Sequence, residues 1–227
     1  MVIGNGLIAS AFKEYAEDEK RIIFASGVSN SFEQSDVEFN REKELLEKIL
    51  KENQKKIIVY FSSFPNNNPY QQKYINHKLL MESVVKSSKQ NNYCIIKIPQ
   101  VVGNTGNDNG LFNYLSRAIK NDETIKVYKY SYRSLLDVED LKLIVDVLQK
   151  RWRDLNTCVP FAGIEKLYVE DIVKLVAKHL NKTPIIEFLP NDNYLLPEKT
   201  IAVNSIINIL GIESNGYTER LIKKYMQ

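Results

Sequence analysis

No stretch of this 227-residue sequence approaches the ~20 consecutive apolar residues that a membrane-spanning helix requires. Cysteine is scarce too: Cys94 and Cys158 are the only two, and they lack metal-ligand spacing. That excludes a disulfide scaffold or a cysteine-rich metal knuckle and suits two reduced thiols. Basic residues form no long block and the net charge is only +3, so nucleic acid is not an implied partner, whereas a small anionic ligand is tolerated. Internal repeats and low-complexity linkers are missing. Met1-Val2-Ile3-Gly4 enters structure at once and leaves no room for a signal peptide, so a cytoplasmic protein with no membrane partner is expected. The length fits one large domain, or a core with a small lobe, and can bury a proper core.

What is present begins with Tyr74-Ile75-Asn76-His77-Lys78. On a helix, positions i and i+4 share a face, so the Tyr74 phenol and the Lys78 ammonium can enter one cleft. A nearby positive charge favours phenolate. A hydroxyl from the preceding strand end, Ser63 rather than Ser62, would hold a carbonyl or alcohol oxygen against the phenol. Together they make a proton-transfer device for carbonyl reduction or alcohol oxidation. Taken alone, the same spacing describes two ordinary residues of a helix surface, so the surroundings must decide. His77 is expected to point elsewhere around the helix, to solvent or an interface. His179 suits a cap or surface group, and Glu82 a solvated or packing face.

Met1 to Ile3 read as a strand end, followed by a glycine turn and a helix to about Asp18. Residues 21–25 are a second strand, 38–53 a helix, 56–61 a third strand, 70–89 a long helix and 93–98 a fourth strand. The asparagines and prolines of 65–69 predict a loop. This alternation predicts a parallel sheet with helices on both faces, whose sites lie beyond the carboxyl ends of the strands. Gly4, Ser26, Ser63 and Pro99 stand at those ends. Further on, helices are expected at 111–120, 137–151, 168–181, 202–210 and 217–226, with a short strand at 125–130. The expected division is a core of residues 1–156 and a small C-terminal, α-rich lobe of residues 157–227.

These segments carry Gly4-x-Gly6-x-x-Ala9, Val59-Tyr60-Phe61-Ser62-Ser63 and Tyr74-x-x-x-Lys78-x-x-x-Glu82. They continue with Ile98-Pro99-Gln100-Val101-Val102-Gly103 and Arg133-Ser134-Leu135-Leu136-Asp137-Val138-Glu139-Asp140. In that order the chain resembles the extended short-chain dehydrogenases/reductases, the NAD-dependent epimerase/dehydratase group acting on nucleotide-linked sugars. The resemblance implies a Rossmann-like core that binds NAD or NADP and a nucleotide-sugar substrate, with no metal. Ser63, Tyr74 and Lys78 would be catalytic, with Lys78 lowering the phenol's pKa and holding the nicotinamide ribose. The cofactor would lie on Gly4, Asn5, Gly6, Leu7, Ile8, Ala25, Ser26, Gly27 and Pro99 besides Tyr74 and Lys78. Ser63, Gln100 and Arg133 would contact substrate, Arg133 through its diphosphate. Arg133 has an alternative as the salt-bridge partner of Asp137 or Glu139. A homodimer is expected, and Leu79, Leu80, Val84 and Val85 suit either its face or core against the sheet. The setting implied is reduction or epimerisation of a (keto-)sugar for surface polysaccharide.

The chain departs from that family in length. Only one strand separates the first helix from the helix before Val59, so about two βα units are missing. Full members order their strands 3-2-1-4-5-6. Were residues 21–25 the second of these, a gap of unpaired backbone would open inside the sheet. As the fourth strand they leave the sheet contiguous and cost only its outer edge. The side that cradles adenosine is then cut down, and no acidic residue follows 21–25 to take the ribose hydroxyls. A non-catalytic protein that binds a sugar nucleotide or dinucleotide is therefore the alternative reading.

Overall fold

A computed structural model describes residues 1–64, 69–88, 92–104, 110–151, 156–190 and 201–226. The loop expected at 65–69 falls mostly outside them. The chain divides into two compact units, Met1–Ile98 with Lys142–Phe161, and Pro99–Leu141 with Ala162–Gln227.

The first unit is built on parallel strands β1 (Val2–Ile3), β2 (Arg21–Phe24), β3 (Ile57–Ser63) and β4 (Tyr93–Ile98). Between them run helices α1 (Leu7–Ala11), α2 (Asp36–Glu52) and α3 (Gln72–Ser87). Ile22, Ile23, Phe24, Ile58, Val59, Ile95 and Ile96 are almost wholly buried, which is why these strands read as continuous apolar runs rather than alternating ones. α2 turns Phe39, Leu46, Ile49 and Leu50 inward, and its first turn carries Asp36 and Glu38, the favourable charge at a helix N-terminus. Leu46 and Leu50 join Ile22, Phe24, Ile58, Tyr60, Ile95 and the α3 residues Met81 and Val85 in one core cluster.

β2 pairs with β1 through Ile23↔Val2 and with β3 through Ile23↔Val59. The sheet is thus contiguous, with β1 outermost among the described strands. α1 is shorter than expected: it ends at Ala11, and a 3-10 turn over Lys13–Tyr15 replaces its continuation.

In the second unit β5 (Gln100–Val102) and α4 (Leu111–Lys120) precede β6 (Thr124–Tyr128), β7 (Tyr132–Arg133) and β8 (Leu135–Asp137). β5 pairs with β8 in parallel. Helix α5 (Val138–Arg151) starts in this unit and runs into the first. There β9 (Asn156–Pro160) pairs with β4 and completes a five-stranded parallel sheet, β1-β2-β3-β4-β9, with helices on both faces. The boundary expected at 156/157 therefore coincides with the start of the last sheet strand. The chain then returns to the second unit for β10 (Leu167–Tyr168), α6 (Val169–His179), β11 (Ile185–Leu189), α7 (Ile201–Leu210) and α8 (Tyr217–Tyr225). β10 pairs antiparallel with β7, and β11 parallel with β6, so this unit carries more strand than its helical periodicity predicts. Among the described residues, no helix is long and apolar enough to cross a membrane. Both cysteines are free.

Candidate active site

Gly4 follows β1 directly, with φ at +126°, a backbone region that side-chain-bearing residues rarely adopt. A Cβ there would lie 2.7 Å from the Ala25 carbonyl carbon, so the turn is packed against the end of β2. Asn5 and Gly6 are exposed like Gly4, and a Cβ on Gly6 would meet nothing within 4 Å. Leu7 and Ile8, half-buried, open α1. Ala25, Ser26 and Gly27 continue from β2, and the Arg41 guanidinium of α2 donates to the Ser26 carbonyl at 3.3 Å. These residues give one edge of the first unit an open backbone turn.

β3 ends on the serine pair. Ser62 is buried and donates to Glu82 at 2.7 Å; Glu82 is itself buried and receives Lys97 at 3.0 Å. It is therefore a buried linker of β3, β4 and α3 rather than a solvated group. Ser63 is near enough to the Tyr74 phenol to favour its ionised form, so the sequence-predicted hydroxyl and phenol are neighbours. Tyr74 packs with Val28, Phe39 and Ile75. Burial pushes its phenol up to about 12; the Ser63 hydroxyl opposes this, and the charge of Glu42 adds to it.

Lys78 is buried, with its ammonium 5.6 Å from the centre of the Tyr74 ring. The spacing rule thus holds, yet the ammonium's hydrogen bonds go to Glu42 Oε1 and Oε2, at 3.0 and 3.1 Å. Glu42 is wholly buried on α2 and gathers further donors: the Val28 amide at 2.6 Å, the Tyr60 hydroxyl at 2.8 Å and His77 Nε2 at 3.0 Å. An ionised carboxylate only accepts, so Nε2 carries the hydrogen in this contact. Burial would raise the Glu42 carboxyl, but His77, Lys78, the Val28 amide and Tyr60 outweigh it and hold the group at about 2. At the other end burial wins: the Lys78 ammonium is lowered despite Glu42. The asymmetry follows from the bonding, four donor groups around the carboxylate against one carboxylate at the ammonium.

One reading changes here and one residue is added. His77 does not face solvent or an interface. It is buried against Glu42 with its ring 4.6 Å from that of Phe39, because i+3 lies on the same helical face as i and i+4. Glu42 itself escaped sequence reasoning, although its position was readable: it interrupts the apolar stripe Phe39, Leu46, Ile49 and Leu50 at helical spacing.

Pro99, Gln100 and Arg133 belong to the second unit. Gln100 is exposed on β5 opposite Leu135, and Arg133 is half-buried on β7 opposite Leu167. Asp137 and Glu139, the alternative partners considered for Arg133, both take Lys224, at 2.8 and 2.7 Å. His179 bonds the Met226 carbonyl at 2.5 Å. Leu79 and Leu80 are exposed on α3, Val85 is core and Val84 packs partly against it. Among the described residues, no cluster of His, Cys, Asp and Glu has the make-up of a metal site.

The fit of these side chains to a dinucleotide is uneven. The open turn at Gly4–Gly6 admits a pyrophosphate against the backbone, and the phenol and Ser63 hydroxyl suit the nicotinamide end. Lys78 can reach a ribose only by leaving Glu42, and β1 leaves no further described strand on which adenosine could rest.

No family profile and no curated protein matches the chain. Solved structures do. The UDP-glucuronic acid 4-epimerase of Bacillus cereus, solved with UDP-glucuronic acid and NAD, gives a TM-score of 0.67 at 12% identity, covering 94% of this chain and 76% of its own. The NAD-dependent NDP-hexosamine 5,6-dehydratase TunA gives 0.66 at 16% identity over 93% of this chain and 77% of its own. The UDP-glucose 4-epimerase of Thermus thermophilus, in complex with NAD, gives 0.62 at 13% identity over 95% and 79%. At such identities the likeness establishes the fold, and the chain has the Rossmann-like fold of the NAD-dependent nucleotide-sugar epimerases and dehydratases in a shortened form.

Proposed function

We propose that the chain is an NAD(P)-dependent reductase or epimerase acting on a nucleotide-linked (keto-)sugar, in the cytoplasm, for surface polysaccharide. The Ser63–Tyr74 pair at the end of β3 carries this reading, because it sets a hydroxyl near a proton donor at a strand end. A bound nicotinamide would supply the hydride donor or acceptor. Ser63 would orient the sugar oxygen toward the phenol. Tyr74 would give its proton to that oxygen in reduction and take it back in oxidation. Gly4, Asn5 and Gly6, with Leu7 and Ile8 behind them, would admit the pyrophosphate, beside Ala25, Ser26 and Gly27. Pro99 would border the cofactor, Gln100 would offer its amide to the sugar and Arg133 its guanidinium fork to the diphosphate. The exposed Leu79 and Leu80 would contribute to a homodimer face.

The capture of Lys78 by Glu42 favours a second reading, a binding protein of the same fold without turnover. Fluorescence titration with NADH and NADPH separates the two. No binding at millimolar cofactor sinks the enzyme reading. If cofactor binds, Tyr74→Phe should abolish turnover with affinity nearly unchanged, and an active variant refutes the role given to Tyr74.

A further inference from the structure

Glu42 has no part in the resemblance, yet it is the most heavily bonded side chain of the first unit's site. Its carboxylate joins α2 to the loop after β2, to β3 and to α3 through Val28, Tyr60, His77 and Lys78. A glycine lies directly over the ion pair: a Cβ at Gly27 would stand 2.7 Å from Lys78 Nζ and 3.1 Å from Glu42 Oε1. The ammonium and the carboxylate therefore both pack against Gly27, with the ammonium 5.6 Å from the rings of both Tyr60 and Tyr74.

The ionisable and polar groups around the phenol come from three elements. α2 brings Glu42, with Arg41 acting on Lys78, α3 brings Lys78 and its neighbour His77, and β3 brings Tyr60 and Ser63. Among their charges, the Glu42 carboxylate is the one that acts on the phenol, and it disfavours ionisation. An unpaired cation as close as Lys78 would act in the opposite direction.

We propose that Glu42 is a positioning residue of this site: it holds the Lys78 ammonium in a buried ion pair beneath Gly27 and so withholds that charge from the Tyr74 phenol. The proposal deepens the reading of Tyr74 as acid/base and rests on it. Its consequence is that a ligand presenting hydroxyls to Lys78 must take the ammonium from Glu42, and the phenol becomes more acidic as it does so.

The test is carbon-13 NMR of tyrosine labelled at Cζ, in the protein without cofactor, with Tyr74→Phe to assign the signal. In the wild type the Tyr74 signal should stay that of a neutral phenol up to about pH 11, whereas Glu42→Gln, which removes the carboxylate that raises the phenol, should bring its titration down. Adding Lys78→Met to Glu42→Gln should send the titration back up. A Tyr74 that titrates in Glu42→Gln as in the wild type, or in the double variant as in Glu42→Gln, overturns the proposal. Should Glu42→Gln fail to fold, Gly27→Ala serves instead, since its Cβ displaces the pair without deleting a charge. A downward shift is expected again, and an unmoved Tyr74 refutes the idea. Since no cofactor is added, the outcome is separate from the NADH titration that decides the enzyme reading.

Discussion

The two glycines of the opening turn make opposite demands, and alanine at each should separate architecture from ligand binding. At Gly4 a methyl group would stand 2.7 Å from the Ala25 carbonyl carbon and 3.1 Å from the Ser26 nitrogen, both backbone atoms that no rotamer change can move. The φ of +126° adds strain of about 1–3 kcal/mol for a residue with a Cβ. Forcing a methyl group into filled space adds about 1–3 kcal/mol more. The sum is roughly 4 kcal/mol, a large part of the ~5–15 kcal/mol by which domains are stable. Relief would come from parting β1 and β2, which are tied at this end by the Ala25 amide donating to the Ile3 carbonyl at 2.8 Å. At Gly6 the backbone is extended, with φ −81° and ψ −169°, and the added methyl group meets nothing within 4 Å. Gly6→Ala should therefore cost no more than about 1 kcal/mol, the difference between the two residues as a helix N-cap.

Urea denaturation of both variants measures these costs, and NADH titration of Gly6→Ala measures what the open space is for. If the turn receives a pyrophosphate, the Gly6 methyl group should weaken NADH at least about tenfold, or ~1.4 kcal/mol, without a matching loss of stability. A Gly4→Ala protein within about 1 kcal/mol of wild type would refute the steric reasoning. A Gly6→Ala protein that binds NADH as the wild type does would remove the turn from the cofactor site.

Two further predictions concern the same unit. Glu42 is held at about 2 against an ordinary 4.5, so the stability it contributes is present above about pH 4.5 and lost as pH falls toward 2. The stability gap between wild type and Glu42→Gln in urea should shrink by about 2 kcal/mol between pH 6 and pH 3, and a gap independent of pH would contradict the assignment. If the exposed Leu79 and Leu80 form the face of the proposed homodimer, the wild type should sediment as a dimer and a folded Leu79→Lys/Leu80→Lys variant as a monomer; a monomeric wild type would refute the dimer, and a variant that stays dimeric would refute this face.

β2, β3 and β4 were legible because strands buried on both faces read as apolar runs, and helices of ordinary length separate them. β9 was not: Asn156-Thr157-Cys158-Val159-Pro160 is polar at one end and stopped by proline, and it joins the sheet only through its long-range pairing with β4. The two- and three-residue pairs β7–β10 and β5–β8 leave no periodic trace at all. Ile185 to Leu189 is half exposed, so its pairing with β6 gave no alternation to read. In the site, helical spacing placed Tyr74 and Lys78 together, because that rule is local. What Lys78 bonds to depended on a carboxylate from another helix, and a sequence pattern carries no distance between helices.

Stability alone does not account for that carboxylate. Replacing a buried ion pair by apolar residues of similar volume is often neutral or stabilising by about 1–4 kcal/mol, whereas stranding one partner costs about 3–5 kcal/mol. A scaffold with nothing but a core to maintain would be served as well by two aliphatic side chains between α2 and α3. Here four donor groups are organised around one carboxylate, at the end of the sheet where the phenol and the Ser63 hydroxyl are already neighbours. Such bonding fixes the position of one ammonium to within hydrogen-bond tolerance, a result that packing cannot deliver. The opening Tyr74-x-x-x-Lys78 spacing is thus a three-residue problem, because the acidity of the phenol depends on which of two neighbours, Glu42 or Tyr74, has the use of the Lys78 charge.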